Sequence, residues 1–135
     1  MTKTIASQVV NKLTMVSVVV SDMKKAKEFY AEKLGLEVVT DYRQNDNNWW
    51  VTLTFPGGGT TITLAMSSTT SNEPPKPDSM SFYFSTSDIA AAYQELNEKG
   101  VKTSDIQDNL YGPGSGVKFF QLKDPDGNQL TFAQE

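Results

Sequence analysis

The chain has 135 residues, of which 38% are hydrophobic and 10% aromatic, and this supports one domain with a buried core. It contains no cysteine and no histidine, which excludes disulfides, thiol nucleophiles, Ser-His-Asp triads and histidine-ligated metal sites. The net charge is -4 and Arg43 is the single arginine, so we expect no nucleic-acid binding and a weak preference for neutral or cationic ligands. No segment suits a signal peptide or a membrane span, which predicts a cytoplasmic protein.

The first half of the chain alternates between strand and helix patterns. Residues 13–20 are apolar and β-branched, as strands are, and Ser21-Asp22 is typical of a helix N-cap. Residues 22–34 place apolar side chains on one helical face, and Gly35 supplies a C-terminal stop. Strand candidates follow at residues 37–43, 49–55 and 60–66, which completes a βαβββ pattern.

The same order of patterns returns in the second half. Residues 80–86 have a strand pattern and residues 89–99 a helix pattern with a cap at Ser87-Asp88, and strand candidates follow at 101–106, 117–122 and 129–133. This internal repeat predicts two related βαβββ modules, one at residues 13–66 and one at residues 79–135. A proline-rich linker is predicted at 67–78, and residues 1–12 are a leader that fits either a frayed tail or an edge strand.

Several short motifs in these positions resemble one known superfamily. They are Val20-Ser21-Asp22, Phe29-Tyr30, Leu34-Gly35-Leu36 and, near the end, Asp124-Pro125-Asp126-Gly127-Asn128. Together they are similar to the vicinal oxygen chelate superfamily, which includes glyoxalase I, extradiol dioxygenases and bleomycin-resistance proteins. The resemblance implies an α+β fold in which two βαβββ modules curl into a mixed-sheet cup, with the helices on the convex side and the site on the concave side.

Metal-dependent members of that superfamily hold the metal with one His, Glu or Gln from each of four strands. The resemblance places Met15, Thr63, Ser81 and Thr131 at those positions. None of these side chains is a competent ligand, because divalent cations prefer carboxylate, imidazole or thiolate donors. We therefore expect a metal-free site, no cofactor, and no metal-dependent glyoxalase, dioxygenase or epimerase activity.

Alternation along the strands predicts which side chains line the cup. Small hydroxyls and aromatic rings dominate that face, and such a surface suits a flat or glycosylated organic molecule. Aromatic residues at these positions fit a ligand contact and, equally well, a structural role as filling for the cup or in a dimer contact. Relatives place a loop like the glycine-rich segment at residues 107–116 beside the pocket. The predicted ligand-binding residues are Met15, Ser17, Trp50, Thr52, Thr63, Ser81, Tyr83, Tyr111, Phe119, Gln121 and Thr131.

The leading functional prediction is a metal-free, non-catalytic protein that resembles the bleomycin-resistance proteins and sequesters a small, antibiotic-like molecule in the cup or a dimer crevice. One alternative is a metal-independent lyase or isomerase with Tyr83 as acid or Asp41 as base. Another is a regulatory interaction module whose cup is filled by its own side chains. Asp41, Asp105 and Asp108 are candidate carboxylates at the rim. A homodimer is expected, because exposed edge strands favour pairing.

Overall fold

The computed structural model describes residues 9–45, 48–66 and 80–134. The predicted linker at 67–78 and most of the predicted leader at 1–12 lie outside these residues, and residues 9–12 belong to no helix or strand. The elements in chain order are β1 (Met15–Val20), α1 (Met23–Lys27) continued by a π-helical segment (Glu28–Lys33), β2 (Glu37–Asn45), β3 (Asn48–Thr54), β4 (Thr61–Met66), β5 (Ser81–Thr86), α2 (Ile89–Glu98), β6 (Phe119–Lys123) and β7 (Gln129–Gln134). The predicted α+β class is confirmed.

Each half of the chain forms its own sheet. The first sheet has the strand order β1-β4-β3-β2, with β1 parallel to β4 and the other pairs antiparallel. The second has the order β5-β7-β6, with β5 parallel to β7 and β6 antiparallel to it. The first and last strands of each half therefore pair in the same way, which agrees with the internal repeat seen in the sequence.

The strand predicted at residues 101–106 is an irregular edge instead. Isolated bridges join Thr103 to Leu122 and Gln107 to Phe119. Between them Ser104 donates its N–H to the Gln121 carbonyl at 2.8 Å, while its Oγ accepts the Gln121 N–H at 2.9 Å. Because the serine side chain takes the place of a backbone acceptor, the regular ladder is interrupted here, and the second module has one regular strand fewer than the predicted βαβββ.

Both helices have the predicted side-chain caps. Asp22 accepts the Lys25 N–H at 3.2 Å, and Asp88 accepts the Ala91 N–H at 3.0 Å. The first helix then widens into the π-helical segment, in which the Leu34 N–H reaches the carbonyl five residues back. A π-helix has more residues per turn than an α-helix, so neighbouring side chains diverge less. This helps Phe29 and Tyr30, adjacent in sequence, to be buried together.

One hydrophobic core joins the two modules. The ring of Phe55, the residue after β3, packs edge-on against Phe84 of β5, with centroids 5.6 Å apart. Phe84 in turn contacts Phe132, which stacks on Phe120 at 5.3 Å. The helix α1 packs on β3 and β4, and α2 packs on β7. The helices therefore cover one face of each sheet and leave the other face open.

A buried hydrogen bond also links the modules. The Tyr30 hydroxyl of the first helix donates to Asp124 at 2.6 Å, just before the turn into β7. Asp124 also accepts the N–H groups of Asp126 and Asn128. Nearby, the Ser21 hydroxyl donates to Asp126 at 2.7 Å. The Asp-Pro-Asp-Gly-Asn motif is therefore occupied with holding the turn and the module interface.

Candidate functional site

We call the sheet surface that points away from the helices the open face. On the first sheet, strand pairing places Ser17, Thr63, Thr52 and Thr40 in one row across all four strands. Side chains directly opposite each other in paired strands lie on the same face. The predicted residues Ser17, Thr52 and Thr63 are thus brought together, and Thr40 joins them as a position that the sequence analysis did not single out. The row is a band of hydroxyl groups.

The hydroxyls at the centre of this row form a directed chain. Thr63 donates to the Met15 sulfur at 2.7 Å, and its oxygen lies 2.9 Å from the Thr52 oxygen. A thioether only accepts and a hydroxyl has a single proton, so with Thr63 donating to Met15 the bond between the threonines is donated by Thr52. Thr63 is buried, whereas Thr52 is half-buried. Thr52 therefore keeps free lone pairs beside the open face.

An aromatic pair lies at one end of the same face. Trp50 on β3 is opposite Tyr42 on β2, with ring centroids 4.5 Å apart and planes tilted by 31°. Trp50 is 38% exposed and Tyr42 is 44% exposed. Tyr42 was not among the residues predicted from the sequence, although its spacing from Thr40 follows the alternation expected for one strand face. We call these two rings the aromatic platform.

The neighbouring tryptophan lies on the helix side, as alternation requires. The Trp49 indole N–H donates to Asp41 at 2.8 Å, and the Arg43 guanidinium lies 4.2 Å from the ring centroid. Asp41 also pairs with Lys27 at 2.5 Å. The hydrogen bonds from Lys27 and then from Trp49 lower the pKa of the Asp41 carboxyl. Asp41 is therefore a paired anion on the face opposite the hydroxyl row, so its expected place as a rim base does not fit the structure.

The second sheet carries a similar row across its three strands. Strand pairing aligns Tyr83, Thr131 and Gln121 across β5, β7 and β6. The Gln121 amide donates to the Thr131 hydroxyl at 3.3 Å, and Thr131 is fully buried. Tyr83 is 62% exposed, and within the described residues its hydroxyl has no hydrogen-bond partner. Ser81 and Phe119 lie on the same face, further along their strands.

A cavity of about 280 Å³ lies where the two modules meet. Ser81 and Tyr83 of the second module line it together with Leu13 and Thr60 of the first. The predicted residues of the second sheet therefore adjoin the first module at the start of β5.

Tyr111 stands apart from the other predicted residues. It lies in the glycine-rich loop and is 71% exposed, and it makes no hydrogen bond or ring contact with the rest of the described chain. Asp108 in the same loop is paired with Lys118 at 2.7 Å. Asp105 lies 3.5 Å from the Tyr93 hydroxyl of α2, on the helix side. Neither rim carboxylate contacts the hydroxyl rows.

Comparison with known proteins identifies the family. Residues 12–132 match the model described as the Glyoxalase/Bleomycin resistance protein/Dioxygenase superfamily. The chain belongs to this superfamily. The uncharacterized protein YwkD of Bacillus subtilis (strain 168) is 29% identical over 124 residues, covering 89% of this chain and 94% of that protein.

Solved structures of the superfamily share the fold over nearly the whole chain. A member from Sphaerobacter thermophilus DSM 20745 has a TM-score of 0.76 and 29% identity, covering 93% of this chain and 98% of that one. TnmS3, an antibiotic binding protein from Streptomyces sp. CB03234, has a TM-score of 0.76 and 26% identity, covering 94% of this chain and 98% of that one.

The residues at the four positions where the superfamily resemblance places metal ligands do not fit a divalent cation. Met15 and Thr63 are hydrogen-bonded to each other, and Thr131 is buried against Gln121. Ser81 contributes one neutral hydroxyl. Across the part of the chain that the structure describes, no three Asp, Glu, His or Cys side chains come together as a possible metal site. The donor set lacks the anionic oxygen or imidazole that such ions require.

Among the helices that the structure describes, none is both long enough and apolar enough to cross a bilayer.

Proposed function

We propose that this protein binds and sequesters a small, planar, antibiotic-like organic molecule on its open faces, without a metal ion. The observation that carries the proposal is the aromatic platform of Trp50 and Tyr42, partly exposed beside a row of hydroxyls. Exposed large aromatic side chains that lie together mark binding surfaces more often than isolated ones. The similarity to TnmS3, an antibiotic binding protein, supports the same ligand class.

Each part of the proposed site has a physical role. Trp50 supplies a flat apolar surface for stacking, and Thr52 supplies a hydrogen-bond acceptor beside it. Tyr83 supplies an exposed ring and hydroxyl on the second sheet. The residues proposed to contact the ligand are Met15, Ser17, Trp50, Thr52, Ser81, Tyr83, Phe119 and Gln121, with Tyr42 added from the structure. Of the other residues predicted from the sequence, the buried Thr63 and Thr131 are proposed to hold Thr52 and Gln121 in place, and Tyr111 is proposed as a contact from the glycine-rich loop.

Binding without catalysis is the simpler use of this surface. Stacking and neutral hydrogen bonds need no metal ion. Proton transfer, by contrast, needs a titratable group within hydrogen-bond reach of the substrate. Asp41 lies on the helix side of the first sheet and is paired with Lys27. On the second sheet, the described strand residues that share the open face with Tyr83 include no carboxylate.

Fluorescence titration tests the proposal. The neutral 2-(hydroxymethyl)anthraquinone, a cationic anthracycline and an anionic quinolone antibiotic are titrated into the protein, and at least one is expected to quench tryptophan emission saturably. Trp50→Ala should weaken that binding about tenfold or more, since it removes the apolar area that the ring buries as well as the stacking contribution of about 1 kcal/mol. Trp49→Phe is the matched control and should keep the affinity. Unsaturable quenching by every compound, or full affinity in Trp50→Ala, would contradict the proposal.

We also propose that the protein is a cytoplasmic homodimer. Among the described strands, β1 pairs only with β4 and β5 only with β7, so each has one edge available for pairing. Sedimentation equilibrium is expected to give twice the chain mass at micromolar concentration, and a monomer over the whole range would contradict the dimer. Cell fractionation tests the location.

A further inference from the structure

Charged side chains avoid the open faces, although the chain is acidic overall. Along the described strands the open faces carry one carboxylate, Glu37, opposite Thr54, and one ammonium, Lys123, opposite Gln129. Both are at the ends of outer strands. The other described acidic residues lie on helices, in turns and loops, or on the helix side, as Asp41 does. The aromatic platform and the hydroxyl row therefore form an uncharged surface.

An uncharged surface selects against charged ligands. A charge removed from water needs a partner of opposite sign or several hydrogen bonds to its ionised form, and without them its burial is costly. Neither Glu37 nor Lys123 belongs to the central row formed by Ser17, Thr63 and Thr52. An anion stacked on Trp50 would thus lose hydration without gaining a pair, whereas a cation would gain only the attraction of the partly exposed ring face.

The direction of the hydroxyl chain sets a second requirement. Thr52 donates its proton to Thr63, which donates to Met15, so Thr52 meets a ligand as an acceptor. Trp50 and Thr52 are two residues apart on one strand face, about 7 Å at the usual rise per residue. A two-ring aromatic that stacks on Trp50 reaches this distance with a hydroxyl on its outer edge.

We propose that the ligand class of this site is an uncharged, planar aromatic compound with a ring hydroxyl that donates to the Thr52 oxygen. The inference rests on the proposed function and narrows it. From net charge alone, a neutral or cationic ligand was expected. The uncharged surface and the Thr52 acceptor favour instead a neutral ligand that donates a hydrogen bond.

Four matched two-ring probes test the ligand class at pH 7. They are 2-naphthol, 2-methoxynaphthalene, N-methylquinolinium and naphthalene-2-sulfonate, and binding is followed by NMR on the Trp50 indole N–H signal. We expect 2-naphthol to bind about fivefold more tightly than its methyl ether, the worth of one neutral hydrogen bond. Both ions should bind more weakly than 2-naphthol, because neither finds a partner charge: naphthalene-2-sulfonate about tenfold, and N-methylquinolinium by less, because the Trp50 ring attracts a cation.

Substitutions at Thr52 separate the contribution of the hydrogen bond to affinity from that of the fit between the probe and the surface. Thr52→Val should remove the preference for 2-naphthol over the methyl ether, and Thr52→Ser, which keeps the acceptor, should restore it. Thr54→Val, on the same strand face, is the control and should retain it. Equal affinity for 2-naphthol and the ions, or a preference that survives in Thr52→Val, would overturn the inference and leave the proposed function standing. No response of Trp50 to any of the four probes would overturn the proposed function as well.

Discussion

Polar residues divide into those that bind other parts of the chain and those that remain available to a ligand. Thr63 and Thr131 are buried and hydrogen-bonded inside their sheets. Tyr30 and Asp124 satisfy each other at the module interface. Trp50 stays partly exposed on the open face. The difference is local: a buried polar group must be paired, whereas an exposed one is free to exchange water for another partner.

Removing the Tyr30 hydroxyl should destabilise the protein. In Tyr30→Phe the buried Asp124 carboxylate loses one of its donors, and we expect the free energy of unfolding to fall by about 1–3 kcal/mol. Urea denaturation measures this change. The control is Tyr42→Phe, whose hydroxyl is exposed and has no hydrogen-bond partner among the described residues. Its effect should stay within about 0.5 kcal/mol. Equal effects of the two substitutions would contradict the assigned role of the buried bond.

Alkaline pH should act through the same hydroxyl. Burial, and then the hydrogen bond to Asp124, raise the pKa of Tyr30 far above its ordinary value of 10.0. A raised pKa in the folded state means that this contribution to stability is complete below pH 10 and is lost as the pH rises above it. Urea midpoints between pH 8 and 11 should therefore fall more steeply for the wild type than for Tyr30→Phe. Parallel pH profiles would contradict this.

At the scale of elements, the sequence predicted the features that depend on residues close together in the chain. The caps at Asp22 and Asp88 and the alternation of β1, β4 and β5 were readable because each depends on a few neighbouring residues. The irregular edge at 101–106 was not predictable from the sequence, because it depends on the hydrogen bond between Ser104 and Gln121, which lie 17 residues apart in the chain. The platform partner Tyr42 was missed for a similar reason. Its contact with Trp50 depends on the register of β2 and β3, which a bulge after Val38 shifts.

The cap of α2 offers a test at this scale. Asp88→Ala removes the acceptor for the Ala91 N–H, and we expect unfolding to become easier by about 1 kcal/mol. Ser87→Ala is the matched control, because Ser87 is exposed and its side chain makes no hydrogen bond within the described chain. Thermal and urea denaturation compare the two. A loss in Ser87→Ala as large as that in Asp88→Ala would contradict the assignment of Asp88 as the cap.

At the scale of the whole molecule, the two modules share one core and one set of polar contacts. Besides the phenylalanine contacts, Lys33 donates to the Lys99 carbonyl at 2.7 Å and Lys99 donates back to the Lys33 carbonyl at 3.2 Å. These bonds join the C-terminal ends of the two helical segments. The exact boundaries of the modules, 13–66 and 79–135, stay a prediction.

The shared core predicts that the modules unfold together. Both tryptophans lie in the first module, so fluorescence reports on that half, whereas far-ultraviolet circular dichroism reports on both. The two signals should give one coincident urea transition, as expected for a single cooperative domain. A fluorescence midpoint clearly separated from the dichroism midpoint would show that the modules are independent.

The open face is proposed to bind its ligand through rings and neutral hydroxyls, without a metal ion. The most direct test of this proposal is the dissociation constant of the compound that quenches tryptophan emission most strongly among those with no metal-chelating keto-acid or keto-phenol group. It is measured on protein treated with EDTA and again after addition of Zn²⁺ or Mn²⁺. Met15, Thr63, Ser81 and Thr131 offer such ions no charged donor, so we predict the same constant within about twofold. Binding that appears only after the metal is added would contradict the account.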